Sequence, residues 1–342
     1  MREPLLSNVL DDDAEIMGSR QGSASDKVVE IGDIPLLLRA SDISRATAMT
    51  ELLDRLPRSG RAPMASLAFT ERRDPCPPRV PDEVHDGLLI WRNRDGESCD
   101  LVMAHSSGLT VTVSGGDAHI GGDCERLDVC FRRLFPLALC PILAVNDRIL
   151  LHAGAFLASA GGVLAMGPTG SGKSTLVLAA DRAGQPCLAD DLVVLRAEGN
   201  LEVQGVPRPL AVPGDVVLAT PHRPNPQPLP DDDRDRVLLA DVRLAGGWFP
   251  VAGTLLLGHS GRAEGELLEM AGGETLVAAI GSFHSGGEPT MLRRAYPYLA
   301  ALGRLPAWRF LHGAEPTTRL DVAATHLERV SKALEGGPSP HP

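Results

Sequence analysis

The stretch GPTGSGKST, residues 167–175, lies almost halfway along the chain and decides how the C-terminal half folds. It fits the pattern G-x-x-x-x-G-K-[ST] without a mismatch. Glycines allow backbone N–H groups to turn inward around phosphate oxygens, and the helix that follows directs its positive dipole end at the same anion. We therefore predict a nucleotide-binding loop here, and call residues 167–175 the glycine loop.

Two side chains of the glycine loop carry most of the expected chemistry. Lys173 is expected to reach the outer phosphates, and the Ser174 hydroxyl to complete the octahedral shell of a Mg²⁺ ion. A short apolar run, GGVLAMG, precedes the loop, and the helix-forming run KSTLVLAADRAG follows it, which is the context that the motif requires. The other predicted nucleotide-binding residues are Gly167, Pro168, Thr169, Gly170, Ser171, Gly172 and Thr175.

Two neighbouring acids, Asp190 and Asp191, end the run PCLADD that follows the helical segment. A carboxylate at the end of an adjacent strand is where a P-loop protein holds its metal ion. Because neighbouring side chains of an extended segment point to opposite sides, one acid can face Mg²⁺ and the other the incoming nucleophile. The alternative is a solvated turn of two acids.

A histidine, His152 in LLHAGAF, lies on the predicted strand before the glycine loop. Together with the loop and the Asp-Asp pair after the next helix, it resembles the catalytic domain of HPr serine kinase/phosphorylase and its kinase-only relatives. That family shares its P-loop architecture with the phosphoenolpyruvate carboxykinases. The resemblance is close over residues 151–194. Over the following residues, to about 334, it extends only to the general residue pattern.

The resemblance implies transfer of a phosphate from ATP, with Mg²⁺, to a hydroxyl of a peptide or protein. It places Lys173 and Ser174 at the phosphates and the metal, and His152 near the γ-phosphate. Asp191 is by preference the acid that accepts the proton of the substrate hydroxyl, which leaves Asp190 as the metal ligand beside Ser174. Positioning and charge neutralisation are what phosphoryl transfer chiefly needs.

Two departures from the HPr enzymes narrow the expected substrate. Thr175 stands where they carry a Glu, and VQGVPRPLAVPGD lacks the glutamate of their Glu-Ile-Arg-Gly-like signature. The pattern is similar to HPr-kinase-like proteins of bacterial gene clusters, some of which phosphorylate precursor peptides. Arg208 either contacts phosphate or substrate, or lies in a surface turn. A small-molecule kinase on the same scaffold and a nucleotide-binding regulatory module with little turnover remain as alternatives.

Changes in composition and residue pattern divide the chain into three parts. Residues 1–28 are polar and acidic, which predicts a disordered tail. Residues 29–146 contain three short strand patterns and a helical one, which predict a smaller α+β accessory domain. Residues 147–342 are predicted to form an α/β P-loop domain with a mixed sheet, of the type found in PEP carboxykinase and HPr kinase. Within it, the proline-rich segment 221–236 is expected to be an exposed mobile loop, either a lid or a solvated insertion.

Composition restricts the partners and the compartment. The formal net charge of −11 argues against nucleic acid, whose binding depends on neutralising phosphates with Lys and Arg. The longest apolar run, residues 134–145, is too short to span a bilayer, so no membrane association is expected. No secretory signal is visible, which makes the cytoplasm the expected compartment. HPr kinases assemble into rings, so a homo-oligomer is an open alternative to a monomer.

Overall fold

The chain is described by a computed structural model that divides it into two compact units, residues 1–146 and 147–342. The described chain is α/β, with mixed sheets and six helices. None of the helices among the described residues combines the length and the apolar character needed to cross a membrane. The structure describes residues 25–40, 55–70, 74–85, 88–93, 100–105, 108–122, 124–218, 227–228, 236–239, 242, 244–260, 265–283, 289–312 and 319–336.

The N-terminal unit contains an eight-stranded sheet in the order β1-β2-β3-β8-β7-β6-β5-β4. Its strands are β1 (Ser25–Ile31), β2 (Ile34–Ala40), β3 (Ala65–Thr70), β4 (Glu83–His85), β5 (Leu88–Asn93), β6 (Asp100–His105), β7 (Thr110–Ser114) and β8 (Asp117–Gly121). The three strand patterns expected in this region form the antiparallel neighbours β5, β6 and β7. Residues 25–28 belong to β1, so the tail expected over residues 1–28 was predicted four residues too long, and its other residues lie outside the described ones.

One long helix, α1 (Cys124–Ala144), follows this sheet and contains Pro136 and Pro141. Each proline removes a backbone donor and disfavours a helix interior. The second half of α1 nevertheless buries an apolar stripe at helical spacing, which includes Phe135 and Leu139. Burial of this stripe offsets the cost of the prolines, since packing rather than propensity supplies most helical stability in proteins.

The C-terminal unit contains a nine-stranded sheet and a three-stranded one. The larger sheet consists of β9 (Ile149–His152), β10 (Gly154–Ala158), β11 (Gly161–Met166), β12 (Cys187–Ala189), β13 (Leu192–Glu198), β14 (Asn200–Gly205), β18 (Phe249–His259), β19 (Glu266–Glu269) and β20 (Ala307–His312). The smaller sheet consists of β15 (Leu210–Pro213), β17 (Arg236–Leu239) and β16 (Gln227–Pro228), in that order. Of the segment 221–236, only Gln227, Pro228 and Arg236 are described, and these three lie in strands.

Five helices belong to this unit: α2 (Lys173–Arg182), α3 (Gly214–Leu218), α4 (Gly272–Ser282), α5 (Pro289–Leu302) and α6 (Arg319–Glu335). Alternate residues of β11 contribute to two apolar clusters, because successive side chains of a strand point to opposite faces. Val163 lies in a cluster with residues of α2 and α6, and Leu164 in a cluster with residues of α4 and α5. Helices therefore cover both faces of the central strand, and β11 is completely buried beyond its first residue.

Four strands of the larger sheet end at the same edge. β11 pairs in parallel with β18, and β18 in parallel with β20. β12 also runs parallel to β11, because β10 lies between them and is antiparallel to both. The carboxyl ends of β11, β12, β18 and β20 therefore meet, and we call this side of the sheet the loop edge. Crevices at the carboxyl ends of parallel strands are where open α/β sheets bind ligands.

Candidate functional site

The glycine loop connects β11 to α2 at the loop edge. Gly167, Gly170 and Gly172 have φ angles of +149°, +85° and +97°, which side chains other than glycine rarely adopt. A β-carbon on Gly172 would also collide with the imidazole of His312. On Gly167 it would meet the Ser171 Oγ at 2.7 Å. Both conformation and close packing thus require glycine, as a backbone cradle for an anion does.

Lys173 is the buried cation at the start of α2, with 6% of its surface exposed. Its Nζ donates hydrogen bonds to the carbonyl oxygens of Gly167 at 2.8 Å and Pro168 at 3.2 Å. Burial lowers the pKa of Lys173, while the negative charges of Asp191 and Asp190 act in the opposite direction. The positive charge of Arg236, at the start of β17, also lowers the pKa of Lys173. The sequence pattern gave no signal for Arg236.

Asp191 is held by two side chains that come from different elements. The Nε2 of His152, at the end of β9, lies 2.9 Å from its Oδ1. An Nη1 of Arg208, between β14 and β15, donates to its Oδ2 at 2.7 Å. The side chain of Arg208 is only 1% exposed, so this residue does not lie in a surface turn. An ionised carboxylate only accepts hydrogen bonds, so the Nε2 of His152 carries the proton in this contact.

Asp190 points into the protein and is 3% exposed, whereas the side chain of Asp191 is 29% exposed. The Oδ2 of Asp190 accepts a hydrogen bond from the backbone N–H of Ala211 at 2.9 Å. The two acids therefore differ in burial, and they do not form a solvated turn. Both acids lie in the bend between β12 and β13, and their partners Arg208 and Ala211 come from one segment, so the strand alternation expected from the sequence does not account for their different burial.

The predicted metal ligands, Ser174 and Asp190, form a small donor set. Among the described residues, no group of three or more His, Cys, Asp or Glu side chains is arranged to hold a metal ion. Mg²⁺ does not need such a cage, because it keeps several waters and usually takes one or two protein oxygens together with phosphate oxygens. A hydroxyl and a carboxylate are thus chemically suitable donors for Mg²⁺ that arrives with a nucleotide.

Two histidines that the sequence patterns did not single out contact the other side of the glycine loop. His259 ends β18, and its Nε2 lies 2.8 Å from the carbonyl oxygen of Gly170. His312 ends β20, is 1% exposed and lies against Gly172. The two residues are paired in the register of β18 and β20, with ring centroids 6.0 Å apart. The sequence contained one signal for these two residues: each of two apolar strand patterns ends in a histidine.

Comparisons with known proteins leave the family open. No family model matches the chain. No curated protein matches it either. Among solved structures, the chain is similar to the HPr(Ser) kinase/phosphatase from Coxiella burnetii, with 13% identity and a TM-score of 0.26, over 54% of this chain and 97% of that chain. At that TM-score the likeness supports no functional assignment, so the functional interpretation depends on the site itself.

Proposed function

We propose that this protein is an ATP- and Mg²⁺-dependent kinase that transfers the γ-phosphate to a Ser or Thr hydroxyl of a peptide or protein. One observation carries the proposal: the glycine loop and the His152–Asp191–Arg208 cluster meet at one edge of one sheet. A nucleotide holder without transfer chemistry would not need the second group. We also infer the PEP-carboxykinase/HPr-kinase type of P-loop fold for residues 147–342, supported by the loop at the carboxyl end of β11.

The nucleotide end of the proposed site is formed by the glycine loop and the first turn of α2. Backbone N–H groups there would donate to the phosphates, and Lys173 would supply a positive charge to the outer ones. Ser174 and Asp190 would hold Mg²⁺, which when bound neutralises charge on the phosphate oxygens. Arg236, whose charge lowers the pKa of Lys173, would add a second positive charge to this end. These groups bind and orient the triphosphate.

The acceptor end is formed by Asp191. His152 and Arg208 fix both oxygens of its carboxylate, so the carboxylate cannot rotate freely. A substrate hydroxyl that donates a hydrogen bond to Asp191 would be aimed at the γ-phosphate and would release its proton to this carboxylate. Because the transition state of phosphoryl transfer is loose, this proton can leave late, and orientation contributes more than deprotonation. The side chains of Asp191 and His152 are each 29% exposed, which suits a hydroxyl carried on a larger acceptor.

The experiment is a transfer assay with γ-labelled ATP, Mg²⁺ and candidate peptide acceptors. Wild-type protein is expected to label the acceptor, and Lys173→Ala and Asp191→Asn are each expected to reduce labelling by at least ~100-fold. Lys332→Ala and Asp321→Asn on α6 are matched controls, because their side chains are 71% and 81% exposed. ATP loss that needs no acceptor, or no ATP consumption, would favour the regulatory module. Label on small alcohols but on no peptide would favour the small-molecule kinase.

A further inference from the structure

The loop edge is asymmetric about the glycine loop. On one side, β10 and then β12 lie next to β11, and β12 leads into Asp190 and Asp191. On the other side lie β18 and then β20, which end in His259 and His312. The two carboxylates, with His152 beside Asp191, therefore flank the loop on one side, and His259 and His312 flank it on the other.

This asymmetry sets the direction in which a bound triphosphate crosses the glycine loop. If the proposed function holds, the γ-phosphate lies toward the carboxylates, since the acceptor hydroxyl and the proposed metal ligand Asp190 are there. The phosphate chain crosses the glycine loop from that side, and the nucleoside then leaves on the side of β18 and β20. The direction is set by the sheet order and by which strands carry the acids.

His259 is placed to meet a nucleoside that leaves on this side. Its side chain is exposed, and its Nε2 donates to the carbonyl oxygen of Gly170 at the tip of the loop. A β-carbon built on Gly170 would find no atom within 4 Å, so the tip itself is open. Buried His312, with its ring tilted by 42° from that of His259, lies behind it. The exposed ring is thereby anchored to the loop while it remains accessible.

We propose that the nucleoside of the bound nucleotide lies on the β18 side of the glycine loop and that the His259 ring contacts its base. Flat aromatic rings stack on nucleobases whatever the base, because every base has a π face. The inference depends on the proposed function for the direction of the triphosphate. It adds His259 as the residue that holds the nucleoside end of the nucleotide.

The test compares a ligand that has a nucleoside with one that lacks it. Binding of Mg·ATP and of Mg·tripolyphosphate is measured by calorimetry for wild type, His259→Leu and His259→Gln. Both variants are expected to lose about tenfold in ATP affinity, because each removes the aromatic ring. Tripolyphosphate affinity should change by less than about twofold in His259→Gln, whose amide can still donate to Gly170. Tyr296→Leu, which removes a 52%-exposed ring from α5, serves as the control.

Each other outcome has a distinct meaning. An equal loss for both ligands in both variants would show that His259 acts only by shaping the loop, and would overturn the proposal. ATP affinity that survives both substitutions would overturn it as well. Wild-type protein that binds tripolyphosphate but gains nothing from the nucleoside would also overturn it, with the phosphate site intact. Failure of wild type to bind either ligand would refute the proposed function itself.

Discussion

Replacing Arg208 with methionine is expected to destabilise the C-terminal unit, because it leaves the Asp191 carboxylate without its buried cation. Breaking a buried ion pair typically costs about 3–5 kcal/mol. Asp191 is 29% exposed and keeps His152, so water and the imidazole recover part of this. We therefore expect a loss of about 2–3 kcal/mol in the free energy of unfolding. For a unit of this size the loss corresponds to a fall in Tm of roughly 5–10 °C.

A double-mutant cycle separates the ion pair from simple loss of side-chain packing. Asp191→Asn removes the negative charge paired with the guanidinium of Arg208, which is 1% exposed, so it should cost about as much as Arg208→Met. The double variant should cost less than the two single losses together, with a coupling of about 2 kcal/mol. If Arg208→Met acted only through lost packing, the two losses in the free energy of unfolding would add, because methionine removes the same contacts whether residue 191 is Asp or Asn.

The assay is hydrogen exchange of the full chain, followed by mass spectrometry on peptides from β12 and β13. These strands flank Asp191, so their exchange reports on the C-terminal unit without requiring the whole chain to unfold in one step. Arg309→Met is the matched control: it breaks an ion pair with Glu274 whose side chains are 38% and 49% exposed. The control should change stability by less than about 1 kcal/mol. Additivity within about 0.5 kcal/mol in the Arg208–Asp191 cycle would refute the reasoning.

Two further predictions concern single positions near the site. Gly205→Ala should destabilise the C-terminal unit by more than about 3 kcal/mol, because the new β-carbon would overlap the carbonyl oxygen of Leu188. The loss is measured as a fall in Tm. Gly246→Ala is the control and should have little effect, because a β-carbon there would find no atom within 4 Å. Lys173→Met should raise Tm at neutral pH, because burial lowers the pKa of Lys173 and thus penalises its charged form. The penalty is complete below the folded-state pKa and disappears as the pH rises to 10.5, the ordinary value. The Tm difference from wild type should therefore narrow above neutral pH, and a constant difference would contradict this.

The sequence was sufficient to predict the elements around the glycine loop. GGVLAMG forms β11, and KSTLVLAADRAG forms α2 followed by Gly184 at φ +76°. These predictions succeeded because each rests on local chemistry: continuous apolar runs, glycine at positive φ, and helical spacing.

Long-range contacts could not be predicted in the same way. Arg208 is seventeen residues from Asp191, and His259 is 89 residues from Gly170. Whether an arginine in VPRPL lies in a turn or under a carboxylate depends on how β14 and β15 are placed against the sheet. The position of the end of β18 beside the glycine loop depends on the parallel pairing of β18 with β11, and no local sequence pattern specifies that pairing. The helix through Pro136 and Pro141 likewise depends on burial against other elements.

The charges at the loop edge explain why Asp191 needs Arg208. Two carboxylates beside a triphosphate would repel it, and the repulsion is stronger where water is excluded. Arg208 neutralises Asp191, Lys173 is attracted to both acids, and the charge of Arg236 also acts on Lys173, so among these described side chains the three cations exceed the two carboxylates by one. The proposed site can therefore present a carboxylate to the acceptor hydroxyl without repelling the nucleotide. It also follows that Asp191→Asn, which removes a negative charge, should not weaken ATP binding, so its loss of transfer would belong to the acceptor end of the reaction.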